Sequence, residues 1–139
     1  MVPRFHVVVS GPSDLDNLRL ALEEGMKLAD AQLLDLTIFV PSIGQLRGSD
    51  LERLLGKKNL KAIRDGDLKA ANGGPVSLVS VANLVPRRER GVVIGLWCGV
   101  DMVGLLEECT YAKDVVVLTQ TTTEIADWIS DKKPNVLKI

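Results

Sequence analysis

Histidine, cysteine and aromatic residues are scarce in this chain: one histidine, two cysteines, one tyrosine, two phenylalanines and two tryptophans among 139 residues. With His6 the sole histidine, a conventional two-histidine metal site lacks its second ligand, and a serine-histidine-aspartate triad has a single candidate base. Cys98 and Cys109 are too few for a disulfide scaffold and lack metal-ligand spacing, so no metal is expected and both read as reduced, buried thiols. An excess of either charge is also missing. The formal net charge of -1 removes a global pull towards nucleic acid or an anionic membrane. The basic stretches at Arg87 to Arg90 and at Lys57 read as solvated faces, since no aromatic residue interleaves them to stack on bases. The longest apolar run, Gly91 to Val100, falls well short of the roughly 20 residues a membrane-spanning helix needs. MVPRFHVVVSGPSD fits neither a signal nor a transit peptide, so a cytoplasmic protein with no nucleic-acid or membrane partner is expected. Neither a Gly-x-Gly-x-x-Gly fingerprint nor a P-loop occurs, which excludes the two commonest phosphate-cradling loops.

What is present is ordinary globular material, 46% apolar and 25% charged, enough for one core and one domain over 1–139. RFHVVVSG is a β-branched run ending in glycine, suited to a buried parallel strand. A helix follows, with Ser13 as its cap, Asp14 and Asp16 in its first turn, and Leu15, Leu18, Leu22, Met26 and Ala29 as its inward stripe. LDLTIFV is a second strand stopped by Pro41. Ser49 and Glu52 form a capping box for a helix carrying Leu51, Leu54 and Leu55; Gly56 weakens its continuation, and Leu60, Ile63 and Leu68 suggest further helix. PVSLVSVANLV favours strand by composition, yet only PRRER separates it from the next strand, too little for a parallel crossover. A short helix or an antiparallel edge strand is expected there. GVVIGLWCG and DVVVLTQ read as central strands around the helix MVGLLEECTYAK. Thr121 and Glu124 cap a last helix with Ile125, Trp128 and Ile129 on one face, before PNVLKI as a final short strand. The alternation predicts a three-layer α/β domain, Rossmann-like or flavodoxin-like, with a mostly parallel sheet of about five strands flanked by helices.

In such sheets ligands bind outside the carboxyl ends of the strands, which directs attention to SGPSD and to CGVDMVGLLEE. Gly11 permits close backbone approach, and Ser13 stands at a helix start where free N–H groups favour an anion or a polar sugar edge; a plain helix cap is the alternative. His6, inside the first strand, reads as structural. The adjacent carboxylates Glu107 and Glu108 point about 100° apart on a helix. If Cys109 and Ala112 pack inward, Glu108 leans towards the strand ends and Glu107 faces outward. A carboxylate held at the mouth of a cleft can attack or stabilise an electron-poor sugar carbon; a solvated acidic helix is the alternative.

VVIGLWCGVDMVGLLEECTYAKDVVVL resembles the signature region of the nucleoside 2-deoxyribosyltransferase family. The matching positions are Gly99 and Asp101 in the turn, Gly104, Glu108 four residues on, and Tyr111-Ala112; VVVSGPSD fits the family's first strand and glycine-proline turn. The resemblance implies N-glycosidic bond chemistry on a small-molecule nucleoside or nucleotide, with no cofactor. Glu108 would be the nucleophile and Asp101 would aid proton transfer or sugar binding. Ser10, Gly11, Ser13, Asp14, Cys98, Gly99, Gly104 and Tyr111 would contact substrate. It also implies a homo-oligomer, because members usually build their sites at subunit contacts. Cys98 stands where the family usually has aspartate, Leu105 where it has a small polar residue and Thr110 where it has glycine, departures that suit a non-catalytic nucleotide-binding or sensing module. The layout is similar, too, to Toll/interleukin-receptor-like domains, in which a helix glutamate supports cleavage of NAD.

Overall fold

A computed structural model describes residues 2–7, 14–46, 49–69, 73–119 and 125–137. Six strands form one all-parallel sheet: β1 (Arg4–Val7), β2 (Leu36–Val40), β3 (Val76–Ser80), β4 (Val92–Gly95), β5 (Asp114–Leu118) and β6 (Asn135–Leu137), in the order β3-β2-β4-β5-β1-β6. Among the described residues five α-helices cover it: α1 (Asp14–Gln32), α2 (Asp50–Leu55), α3 (Lys57–Arg64), α4 (Val100–Glu107) and α5 (Ala126–Lys132). The three-layer α/β architecture is the one the alternation predicts, with one strand more.

Two hydrophobic cores lie on the two faces, and strand alternation divides the residues between them. Ile38, Val40, Val92, Ile94, Val116 and Leu118 face α1, α2 and α3. Phe39, Val93, Val115 and Val117 face α4 and α5. Because the central strands are covered on both sides, β2, β4 and β5 are buried at every position, which is why they read as continuous apolar runs. α1 crosses β5 and β4 on its way from β1 to β2.

Local signals behave as their chemistry requires. Ser49 caps α2 by accepting from the Glu52 N–H at 3.3 Å. Gly56, at φ 86°, ends that helix and opens α3, which stops at Arg64, short of Leu68. The Thr121 and Glu124 pair lies outside the described residues, as does the Ser13 cap. Two expectations are corrected by packing. Met26 is 45% exposed; the inward stripe of α1 runs instead through Leu18, Ala21, Leu22, Gly25 and Ala29, with Gly25 seated directly on the Ile94 side chain. β3 is a parallel edge strand beside β2, neither a helix nor antiparallel. The apolar run overstates its length. Ser80 ends the strand in a turn in which its N–H donates to Asn83 Oδ1 at 2.6 Å, freeing 81–91 to make the crossover.

Candidate functional site

The strand order determines where a ligand can enter. Connections leave β1 and β2 towards the face of α1, α2 and α3, whereas those from β4 and β5 leave towards the face of α4 and α5. Neighbouring strands therefore send their chains apart at two places on the carboxyl edge, between β1 and β5 and between β2 and β4. Such divergence opens a crevice in open α/β sheets.

Three described residues mark this edge. Asn17, in the first turn of α1, is 2% exposed, and neither its Oδ1 nor its Nδ2 has a hydrogen-bond partner. Thr119, the residue after β5, is 2% exposed and its hydroxyl is likewise partnerless. Burying an unsatisfied polar group costs on the order of 1–3 kcal/mol, so two together call for an explanation. The third is Trp97, at φ 55° in the left-handed region that bulky side chains avoid. Its conformation is enforced from both sides. The Leu96 N–H donates to the Phe39 carbonyl at 2.8 Å and the Cys98 N–H to the Leu118 carbonyl at 2.9 Å, fastening the turn after β4 to the ends of β2 and β5. None of the three stood out in the sequence; a tryptophan inside an apolar run and an asparagine within a helix carry no local signal of this placement.

The residues singled out from sequence are dispersed. Ser10, Gly11 and Ser13, and the side chain of Asp14, lie outside the described part of the structure. Gly99 is the extended N-cap of α4 and Asp101 is exposed in its first turn, both at the carboxyl edge. Cys98 is fully buried between that turn and Gly95, and burial pushes its thiol far up, so it acts as core. Glu108 caps the opposite end of α4, exposed, so roughly 10 Å of helix axis separates it from Asp101. The expected orientation of the acidic pair is reversed. Met102, Val103 and Leu106 form the buried stripe of α4; Glu107, four after Val103, flanks it, while Glu108, four after exposed Gly104, points away. Tyr111 is 56% exposed at the amino edge, where the Arg90 guanidinium lies 4.8 Å from its ring centre.

Glu107 is the centre of a clamp at that amino edge. Arg4, on the first residue of β1, donates to both of its oxygens, Nε to Oε2 at 2.6 Å and Nη2 to Oε1 at 2.5 Å. Trp128 Nε1 of α5 donates to Oε2 at 3.0 Å, and Lys132 Nζ lies 3.7 Å from Oε1. Burial alone would raise the carboxyl, but the hydrogen bonds from Arg4 and Trp128, with the charges of Arg4 and Lys132, hold it below its ordinary 4.5. Two clefts flank Arg4, one of about 290 Å³ lined in part by Glu107, Cys109 and Thr110, the other of about 240 Å³ reaching Lys132 and Asn135. Within them Arg4 and Glu107 are already committed to each other. Burial, helped by the nearby carboxylates Glu89, Glu108 and Glu107, pushes the Cys109 thiol up to about 11, which leaves it unreactive at neutral pH. His6 lies edge-on to Trp128 at 6.4 Å, its Nε2 unpartnered and its proton affinity lowered by burial, a neutral core residue. Among the described residues, one oxygen of Asp30 in α1 is also buried without a partner.

Among the described residues no cluster of histidine, cysteine and carboxylate side chains could hold a metal ion, and no helix is long and apolar enough to cross a membrane. Comparison of the chain with protein-family models, with curated proteins and with solved structures gives no significant match. The site is therefore defined by its own geometry, within the Rossmann-like class of three-layer α/β domains.

Proposed function

We propose that the protein is a nucleoside- or nucleotide-binding module that receives its ligand at the carboxyl edge of the sheet, beside the end of β5. The buried, partnerless side chains of Asn17 and Thr119 carry this reading. An amide with a free acceptor and free donors in the first turn of α1, and a free hydroxyl at the end of β5, match the neutral polar edge of a base or sugar, and a ligand there would supply the hydrogen bonds that the chain withholds. The resemblance of 92–118 to nucleoside-processing domains points to the same ligand class. Binding without turnover is preferred because α4 holds Asp101 and Glu108 at opposite ends, and a glutamate nucleophile would have to stand at the carboxyl edge.

The test is a thermal-shift series with nucleosides, nucleotides and NAD, each stabilising compound then incubated with the protein and analysed by chromatography for free base. Stabilisation with the compound recovered intact is the expected result; saturation at a hundredfold over Kd would add about 2.7 kcal/mol. Release of base that disappears in Glu108→Gln would replace the binding module with a glycosidic enzyme. No stabilisation by any compound would overturn both.

A further inference from the structure

Resting on the carboxyl-edge reading, the geometry points to Trp97 as the platform on which a flat heterocyclic ring of the ligand stacks, with the amide of Asn17 reading the edge of that ring. Trp97 is half-buried, and part of its side chain packs against the core cluster that contains Leu18 and Leu118, the chain neighbours of Asn17 and Thr119. Trp97 thus lies on the face of the sheet that α1 covers, and the bond from the Cys98 N–H to the Leu118 carbonyl sets its turn against the end of β5, where Thr119 follows. The hydrogen bonds at Leu96 and Cys98 hold the intervening residue in its left-handed conformation, so the ring's position is set by the ends of β2 and β5. A bulky residue kept at positive φ by its surroundings, where glycine or asparagine would be relaxed, is an arrangement that clusters at binding and catalytic sites. It stands, moreover, in the turn that bridges the two crevices of the carboxyl edge.

The chemistry of the three groups selects the ligand class. An indole offers a wide apolar face, and stacking of a base on an aromatic side chain is worth roughly a tenfold or greater factor in affinity. The free carboxamide of Asn17 can donate and accept side by side, the pattern that pairs with an adenine edge bearing an exocyclic amine next to a ring nitrogen. Asn17 and Thr119 are neutral, so they suit the base, with the sugar and any phosphate directed outward from the crevice.

The chain has two tryptophans, and Trp128 lies at the far, amino edge beside Glu107, which makes the assignment measurable. Trp128→Phe keeps a ring at that position and leaves Trp97 as the only indole. Titration of this variant with adenosine is expected to change Trp97 emission and to saturate at the concentration that saturates thermal stabilisation of the parent protein. Trp97→Leu is expected to weaken adenosine about tenfold or more, with Trp97→Phe restoring most of the affinity. If adenosine stabilises the parent, Trp97→Leu and Trp97→Phe alike and leaves Trp97 emission unchanged, the stacking assignment is wrong and the carboxyl-edge site stands. Affinity lost in Asn17→Leu but retained in Trp97→Leu has the same meaning. If no nucleoside or nucleotide stabilises the parent protein, the binding reading itself has failed.

Discussion

The two edges of the sheet differ in how most of their polar groups are held, although the amino edge also keeps one partnerless buried oxygen, on Asp30 near the end of α1. At the amino edge they are tied to one another across elements distant in sequence: Arg4 and Trp128 to Glu107, Gln32 to Asp114 at 2.8 Å, and Thr37 to Glu89 at 2.7 Å. At the carboxyl edge Asn17 and Thr119 are buried with nothing to bond, and Trp97 is held in a conformation its side chain disfavours. Each such group costs stability that a bound ligand could restore. The amino edge thus reads as the end that holds the layers together, and the carboxyl edge as the end left open to a ligand.

The sharpest way to break this contrast is at the clamp. Glu107→Ala leaves Arg4, whose side chain is 14% exposed, without its partner, and a loss of about 2–4 kcal/mol is expected in chemical denaturation, below the full value for a completely buried pair. Glu108→Ala, exposed and one residue away, should stay within about 0.5 kcal/mol. Equal effects of the two would remove the distinction between them.

Acid should weaken the amino edge by a smaller amount, since protonation keeps the side chains in place. Glu107 is held below its ordinary 4.5, so its contribution is present above that pH and is lost as the pH falls through its value in the folded protein. His6, pushed below its ordinary 6.5, takes up a proton less readily when folded than when unfolded. Stability therefore begins to fall as the pH drops below 6.5 and falls more steeply below 4.5. A pH series of denaturant midpoints should show the first step vanish in His6→Gln; its persistence there would assign it elsewhere.

At the carboxyl edge the sign reverses. Thr119→Val and Asn17→Leu remove partnerless groups from buried positions, so the ligand-free protein should be unchanged or up to about 1 kcal/mol more stable, while stabilisation by a bound nucleoside is lost. A destabilised free protein would show that these side chains are already satisfied in solution. An effect on stability alone is expected at Leu33, which shares the left-handed conformation of Trp97 at φ 56° but ends α1 and is 78% exposed. The N–H groups of Leu33 and Leu34 donate to the carbonyls of Asp30 and Ala29, the pattern of a helix end that favours glycine. Leu33→Gly should add about 0.5–1 kcal/mol and leave ligand binding alone. Relief of the same strain at Trp97 should reduce binding.

Much of this was readable from residues close in the chain. The β-branched runs of β2, β4 and β5, the Ser49 cap and the break at Gly56 are local choices of backbone, and neighbours a few residues apart decide them. The acidic pair shows where local reading stops. Both carboxylates belong to one helix turn, and which of them turns inward depended on Val103 and Leu106 finding the sheet and on Arg4, more than a hundred residues away, arriving beside Glu107. The Gly104-x-x-x-Glu108 spacing places Glu108 on the same outward face as the glycine, so the spacing that drew attention to it also removes it from the core. β3 escapes the local reading because its apolar run continues past Ser80, whose N–H donates to Asn83 Oδ1 in the turn that ends the strand.

By itself the sequence determined the class of fold, the positions of most elements, the absence of a two-histidine metal site and the near-neutral charge, because composition and short-range periodicity are properties of the chain alone. Only the tertiary structure decided the strand order, and with it which strands diverge at the carboxyl edge, which carboxylate is clamped, and which polar groups are buried without a partner. Those outcomes depend on contacts between segments far apart in the chain, whose pairing is settled when two faces of one sheet are covered at the same time.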